Sequence, residues 1–355
     1  MKKSRTSTKE PGKSGAQKPA NIYDVAKHAN VSIKTVSRVV NGMSNISETT
    51  RQRVLEAVAA LSYRPNVFAR GLASEQSFLL GLLCDIPAAG SGYIAALQTG
   101  MLGRCRKEGY HLIVESLDGE SPDLGAQVTG LVTKSNLHGV ILTSPLCDVP
   151  AVLEALKHTG TPFVRIAPER LLPGSYDVHI DDYKAAYDMT AYLIGLGHKR
   201  IGFIKGPADH GDARARFDGY CAALEHAGIR VNDELCVQGL FTYQSGLAAG
   251  EKLLAMAKRP TAIFACNDDM AAAVLATSQR FNLKIPEQIS VAGFDDSIVA
   301  QVVWPRLTTC RQPIEEMAKA AVSILIRKAP EEAVYDQRLD HELVVRESTA
   351  APAIA

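Results

Sequence analysis

Residues 31–40 read VSIKTVSRVV, and the reading of this stretch decides the organisation of the whole chain. Ser32 is a candidate N-cap for a helix from Ile33 to Val40. On that helix Val36, Val39 and Val40 fall on one side, and Ile33, Lys34, Ser37 and Arg38 on the other. Upstream, IYDVAKHA (22–29) sets Ile22, Val25, Ala26 and Ala29 on one helical face before Asn30 and Val31 break it. Downstream, NGMSN (41–45) reads as a loop, and Ser47 is a candidate cap for ETTRQRVLEAVAALSY. That third helix carries Val54, Leu55, Val58 and Leu61 at helical spacing, and Arg64-Pro65 ends it. Two helices joined by a short turn and packed by a third form the helix-turn-helix plan. In that plan the second helix enters the major groove with its N-terminal residues at base edges. Lys34 and Arg38 are donors suited to guanine O6 and N7, and Ile33 suits a thymine methyl. Thr35, Ser37, Tyr23 and Thr49 or Thr50 are candidate phosphate contacts. The pattern alone leaves a second possibility open, a three-helix cap whose polar residues are simply solvated.

Charge is divided unevenly. Residues 1–76 hold 13 Lys and Arg against 5 Asp and Glu, the remainder 26 against 33, and the whole chain has a formal charge of +1. A basic head on an acidic body suggests a polyanion partner for the head. A solubilising tail is the alternative, because residues 1–20 contribute six of those cations and one Glu. The tail is rich in Lys, Ser, Gly and Pro and is expected to be disordered. No run approaches the roughly 18 apolar residues of a membrane span, and no apolar segment follows the basic N-terminus, so a cytoplasmic protein is expected. The seven cysteines (84, 105, 147, 221, 236, 266 and 310) form no CxxC and have no His at ligand spacing. They read as reduced thiols, several of them buried, rather than as a metal site or disulfide framework.

From Phe78 the texture changes. FLLGLLC, HLIVES, HGVILTS, PFVRIA, RIGFIKG, TAIFAC and ISVAGF are short apolar runs separated by helical patterns of about a dozen residues. This is βαβ texture, and the length suffices for two lobes. A cleft between such lobes suits a small polar ligand where strand ends converge. Three spots invite chemistry: ARARFDGY (213–220), ACNDDMA (265–271) and AGFDDS (292–297). An Arg, an Asn and an Asp meeting there could clamp sugar hydroxyls. Each has a local alternative. Asn267 or Asp268, and Asp295 or Asp296, can cap the next helix, and Arg214 or Arg216 can form a solvated ion pair.

The run IYDVAKHANVSIKTVSRVVNG resembles the N-terminal signature of the LacI/GalR family of bacterial transcription regulators. The shared pattern DVAxxAxVSxxTVSRVxN is matched at Asp24, Val25, Ala26, Ala29, Val31, Ser32, Thr35, Val36, Ser37, Arg38, Val39 and Asn41. RPNVFARGLAS resembles the family's hinge helix, and the body its periplasmic-binding-protein-like sensor. The resemblance implies an all-α helix-turn-helix domain at 21–64, a hinge helix and linker at 65–76, and a two-lobed type I α/β sensor at 77–350. The first lobe is expected at about 77–179 and 309–341, the second at about 180–308 and 342–350. By position, Ile33, Lys34 and Arg38 are then the base readers, with Tyr23, Ser32, Thr35, Ser37 and Asn41 also at the DNA. Leu72 matches the leucine that wedges into the minor groove. The implied partner is a near-palindromic operator with a central C·G step, bound by a homodimer. There is no leucine heptad of the kind that builds a tetramer.

For the body, the family pattern RxxG[FYW] is matched by Arg216, Gly219 and Tyr220, so Arg216 resembles the effector-gripping arginine. Asn267 and Asp295 match two further polar ligands, Phe241 and Tyr93 resemble cleft aromatics, and Asp182 is a further candidate. One departure stands out. After PFVRI the family usually has Asp; here Ala167 is followed by Pro168, Glu169 and Arg170. The implied function is a repressor of a carbohydrate catabolic operon, relieved by a sugar-type effector. A co-repressor-dependent regulator and a solute receptor with no DNA role are the alternatives. An enzyme is not read: GxSxG, HExxH, a Walker loop and a Cys–His pair are all missing from the sequence, and His198 in LGHKRIGFI reads as a packing residue. No cofactor and no metal are called for.

Overall fold

The computed structural model describes residues 20–40, 46–63, 77–86, 91–172, 174–327 and 335–353. The basic tail, Asn41, the Arg64-Pro65 stop and the hinge with Leu72 lie outside them. The chain divides between Ser77 and Phe78 into two units.

The first unit holds α1 (Ile22–His28), α2 (Ile33–Val40) and α3 (Glu48–Ala60). Asn21 accepts from the amides of Tyr23 (2.8 Å) and Asp24 (3.2 Å), and Asp24 accepts from the amide of Asn21 (2.8 Å), a reciprocal capping box. Asn30 takes a left-handed φ of 52°, which ends α1 and turns the chain toward α2. Ser32 caps α2 as expected, its hydroxyl accepting from the Thr35 amide at 3.1 Å. Ser47 precedes α3, but its hydroxyl bonds the Thr50 hydroxyl (2.9 Å) rather than a backbone amide. Val25, Ala26, Ala29, Val36, Val39, Val54 and Ala57 form the core. Leu55, expected inside, is exposed, and Ala57 takes the buried position.

The second unit contains two six-stranded sheets. The first has strand order β11-β5-β4-β3-β1-β2, all parallel. These are β1 (Leu79–Asp85), β2 (His111–Leu117), β3 (Gly139–Thr143), β4 (Phe163–Ile166), β5 (Tyr176–Ile180) and β11 (Tyr335–Leu339). Along β1, Leu80, Leu82 and Cys84 enter one apolar cluster and Leu79 and Leu83 another. The period of two therefore buries both faces, which is why the run reads as continuously apolar. The edge strand β2 departs from this and leaves Val114 exposed. Helices α4 (Gly92–Glu108) and α12 (Ile314–Ile326) cover one face, α5 (Leu124–Lys134) and α6 (Pro150–Thr159) the other.

The second sheet has the order β12-β10-β9-β8-β6-β7. Its strands are β6 (Ile201–Lys205), β7 (Cys236–Gln238), β8 (Ala262–Ala265), β9 (Ser290–Asp295), β10 (Thr308–Arg311) and the antiparallel β12 (Glu342–Val344). Helices α7 (Asp182–Gly195), α8 (Gly211–His226), α9 (Tyr243–Leu254), α10 (Asp268–Arg280) and α11 (Ile298–Val302) belong to it. The chain crosses between the sheets after β5, after β10 and between β11 and β12. The lobe change expected at 309 falls inside β10, which pairs with β9 in the second sheet, so that crossing follows Arg311.

His198 is a packing residue. Its Nδ1 accepts from the Thr261 hydroxyl at 2.9 Å and its Nε2 donates to the Ala350 carbonyl at 2.9 Å, pinning the C-terminal segment beside β8. Burial lowers its pKa, in keeping with a neutral ring. Five cysteines are buried, two are half-buried and all are free. Among the described residues no group of His, Cys, Asp and Glu could hold a metal, and no helix is long and apolar enough to cross a membrane.

Candidate nucleic-acid interface and ligand cleft

On the head, α2 divides its residues by face. Val36 and Val39 are buried, and Ser32, Ile33, Lys34 and Arg38 are exposed. Tyr23 on α1 is also exposed, at 68% of its surface. Thr35 and Ser37 are half-buried. Ser32 shares its hydroxyl with the cap and with Thr35 Oγ1 at 2.8 Å. Ile33 and Lys34 open α2 and Arg38 lies in its last turn, so the exposed face of the helix carries one apolar and two cationic side chains.

In the second unit a cleft opens between the two sheets. It encloses about 690 Å³ of empty volume, open solvent at its mouth included. The first lobe contributes Asp85 from the end of β1, Ser91, Tyr93 and Ile94 from the start of α4, and Ser144 after β3. The second contributes Pro207, His210, Asp212, Arg216, Leu240, Phe241, Thr242, Asn267 and Asp295. Both sets come from carboxyl ends of parallel strands and the helices that follow, where such folds bind ligands.

Arg216 is the centre of the cleft. Its side chain is 3% exposed, and its guanidinium lies 3.8 Å over the Phe294 ring. Nε donates to Asp182 at 2.8 Å and Nη1 to the Cys266 carbonyl at 2.8 Å. Nη2 lies 3.5 Å from Asp212 and Nη1 4.0 Å from Asp295. Gly219, in the same motif, would carry a Cβ only 2.1 Å from the Tyr183 carbonyl, so it lets α8 close against α7. Tyr220 donates its hydroxyl to the Ile201 carbonyl at 2.8 Å. Of the three motif residues, then, Arg216 faces the cleft, Gly219 builds the contact with α7 and Tyr220 ties α8 to β6.

Asn267 takes its capping reading and also lines the cleft. Its Oδ1 caps α10 through the Met270 amide at 3.0 Å, and its Nδ2 donates to the Phe241 carbonyl at 2.8 Å. Phe241 sits at a left-handed φ of 58°, with its ring edge-on to His210 at 5.4 Å. Asp295 and Asp296 have φ values of 113° and 55°, a strained pair at the end of β9. The strain sends them apart. Asp295 accepts from Gln312 at 2.7 Å beside Arg216, whereas Asp296 leaves the cleft to pair with Arg311 at 2.7 Å and with Arg346. Neither caps α11. Asp182, expected among the effector ligands, does not line the cleft; it stands behind Arg216 and holds it. Arg214 takes the ion-pair reading, with Glu169 at 2.7 Å.

The electrostatics follow from crowding. Burial pushes Asp295 up to about 7 and Asp182 up to about 6, with Arg216 opposing both. Burial also favours a proton on Asp212, but His210 and Arg216 outweigh it and hold that carboxyl below its ordinary value. Burial opposes charge on His210, yet Asp212, Asp209 and Asp85 raise it. Asp268 lies under the cleft floor, fully buried, accepting from Thr309 Oγ1 at 2.6 Å and the Ser297 amide at 2.7 Å. Tyr93 is pushed well above its usual range by burial and by Asp212, Asp182 and Asp295, so its hydroxyl stays a donor. Asp85, Ser144, His210 and Asp212 escaped the sequence reading because three separate segments deliver them. The signal for His210 and Asp212 was available: they stand six and four residues before Arg216, just ahead of and on its helix.

Comparison with known proteins agrees with this geometry. The model for bacterial regulatory proteins of the lacI family matches residues 21–66, and that for a periplasmic binding protein-like domain matches residues 190–349. The chain is 35% identical over 331 residues to Catabolite control protein A of Priestia megaterium, covering 92% of this chain and 98% of that protein. It is 32% identical over 335 residues to the Ribose operon repressor of Escherichia coli (strain K12), covering 94% and 100%. Among solved structures, the Lac repressor dimer bound to operator and the anti-inducer ONPF matches with a TM-score of 0.80 at 28% identity, covering 94% of this chain and all of that one. The transcriptional regulator CelR–cellobiose complex matches with a TM-score of 0.70 at 30% identity, covering 93% and 99%. Matched at its head, along its body and over nearly its whole length by regulators of one kind, the chain belongs to the lacI family of bacterial regulatory proteins, as a DNA-binding transcription regulator with an effector-binding body.

Proposed function

We propose that this regulator is a cytoplasmic homodimer that represses a carbohydrate catabolic operon and is released by a neutral sugar-type effector. One observation carries the effector class. Arg216, already neutralised by Asp182 and Asp212, faces the cleft together with Asn267, Asp295 and Phe241. Such a set offers paired donors and acceptors to hydroxyls and an aromatic face to a sugar ring. Excess anionic charge on the ligand would meet Asp85, Asp212 and Asp295, which disfavours a phosphorylated sugar.

On the DNA side, Ile33, Lys34 and Arg38 are assigned base edges, and Tyr23, Ser32, Thr35, Ser37 and Asn41 are assigned to the DNA beside them, largely at the backbone. Leu72, by resemblance, is assigned the minor-groove wedge at a central C·G step. Ile298, Val302 and Trp304, each more than 70% exposed, form an apolar face suited to a second copy of the chain. Effector binding then favours one lobe arrangement over another, a coupling of about 1–3 kcal/mol between cleft and operator.

The test starts with genomic fragments selected by the purified protein, which supply its operator. Fluorescence anisotropy on that DNA is then followed while neutral sugars, sugar phosphates and nucleosides are added in turn. Release by a neutral sugar supports the reading. Release only by a phosphorylated compound, or tighter DNA binding on addition of a sugar, defeats it.

A further inference from the structure

The loop after β4, where the sequence departs from the pattern of the family it resembles, makes contacts in both lobes. Ala167 adopts a φ of 51°, and the chain turns through Pro168 to Glu169. Beneath the loop lies Arg165, fully buried, donating to both oxygens of Asp177 at 2.8 and 2.7 Å. Its Nη1 reaches Asp148 at 3.1 Å and its Nη2 the Arg170 carbonyl at 2.8 Å. The second oxygen of Asp148 accepts from the Glu169 amide at 2.8 Å. The backbone on both sides of the Glu169 side chain is thus tied to a buried ionic cluster in the first lobe.

The Glu169 carboxylate reaches the second lobe. It pairs with Arg214 on α8 at 2.7 Å, with Arg170 a more distant partner at 3.9 Å. The approach is close: a Cβ on Gly211, the first residue of α8, would lie 2.5 Å from the Glu169 Cβ and 2.6 Å from its Cα. Beside this contact, Ser144 of the first lobe lies 3.4 Å from His210 Nδ1 of the second. The helix that Glu169 touches is the one that carries Asp212 and Arg216.

We propose that Glu169 is a latch. Seated on Gly211 and paired with Arg214, it holds the first lobe against the N-terminus of α8 and biases the cleft toward closure. It is a positioning residue, not a ligand. It adds to the sugar-relieved reading without depending on it, because any ligand of this cleft would meet lobes biased toward closure. An ordinary exposed ion pair loses most of its attraction to the cost of ordering two long side chains. Here the buried cluster has already fixed the backbone of one partner.

The test is amide hydrogen exchange, read by mass spectrometry on the full-length protein with neither DNA nor effector. Peptides covering 206–216 and 166–172 report on the contact. In Glu169→Gln and in Arg214→Gln, exchange there should rise about two- to five-fold, the range of a partly exposed pair. Wild-type exchange should rise toward the variants' on going from about 0.05 to about 0.5 M NaCl. Exchange in β1 and β8 and the melting temperature should not move. The reversed pair, Glu169→Arg with Arg214→Glu, should restore protection, which a merely structural role would not. Gly211→Ala should open the contact sterically, with no salt dependence. Singles that exchange like the wild type, a reversed pair that stays open, or a closed Gly211→Ala would each overturn the latch. Since no effector enters the measurement, the sugar-relieved reading can fail while the latch stands, and the reverse.

Discussion

The head and the cleft hold their key cations in opposite ways. On α2, Lys34 and Arg38 stand exposed at the surface of a small core. On α8, Arg216 is 3% exposed, stacked on a ring and surrounded by three carboxylates within 4.0 Å. Under the proposed function, with DNA at the head and a neutral ligand in the cleft, the difference reflects the partners. A polyanion brings its own compensation for each cation and releases counterions as it binds, so its readers can wait in water. A neutral ligand brings none, so the gripping arginine must be neutralised beforehand by the fold. The head's charge is therefore replaceable without harm to folding, whereas the cleft's charge is part of what holds the second lobe together.

Arg216→Ala is the most severe way to sharpen this contrast. It should abolish the effector response and also destabilise the body by about 3–5 kcal/mol, because Asp182, Asp212 and Asp295 lose their shared counter-charge. Denaturant melts supply the stability, and operator anisotropy below the melting point should still show binding. A variant as stable as the wild type would mean that the carboxylates neutralise one another by protonation, and the contrast between the two sites would weaken.

Arg38→Ala probes the other side. Stability should change by no more than about 0.5 kcal/mol. Operator binding should weaken by about 1–3 kcal/mol with relaxed preference at one base pair. Lys34→Ala should behave alike. If either variant weakens all DNA equally, and lowers the salt slope by about one, its cation meets phosphate and not a base.

These two sites were not equally legible in the sequence. The head is local, and its three helices, its Ser32 cap and its buried valines follow from spacing over forty residues. Leu55 went astray because its spacing fits the apolar stripe equally well, and only the packing of α3 shows that Ala57 is the residue inside. In the body, strands buried on both faces announced themselves as apolar runs, but β5 did not. Its sequence, YDVHI, carries Asp177, which is inside only because Arg165 is also there. A buried ion pair of this kind looks like two surface residues until both strands are in place. The cleft was read through Arg216, Asn267 and Asp295, whose motif context marks them. Asp85 and Ser144 come from the other lobe, and nothing in their own neighbourhoods ties them to Arg216. Asp182 was found but given the wrong task, because spacing cannot say whether a carboxylate lies in front of an arginine or behind it.

Asp295→Asn tests whether the cleft's neutralisation is complete. Burial raises this carboxyl to about 7, so the fold prefers it protonated. The resulting contribution to stability is full below about pH 4, the unfolded value, and is lost as the pH rises through about 7. Asparagine needs no proton. The variant should therefore be more stable than the wild type at pH 8, by about 1–2 kcal/mol, with the gap closing toward pH 4. Thermal melts across that range decide it. A gap that widens on acidification would mean that Asp295 is a true counter-ion of Arg216, and that neutralisation by Asp182 and Asp212 is not enough.

The smallest effect is expected at Ser32, where the two strategies meet in one residue. Its hydroxyl is committed to the Thr35 amide at 3.1 Å and to the Thr35 hydroxyl at 2.8 Å, yet the residue is exposed at the end of α2 proposed to read DNA. Ser32→Ala should cost the head about 1 kcal/mol through the lost cap. Ser32→Asp should restore the cap, since a carboxylate suits a helix N-terminus, but set a negative charge against phosphate. Melting of the head and operator affinity, measured on both variants, separate the roles. If Asp recovers stability and loses DNA binding further than Ala does, Ser32 serves both ends, and the surface that waits in water for DNA is built partly from the residues that hold its helix in place. If Asp recovers both, the hydroxyl is a cap alone, and reading is left to Ile33, Lys34 and Arg38.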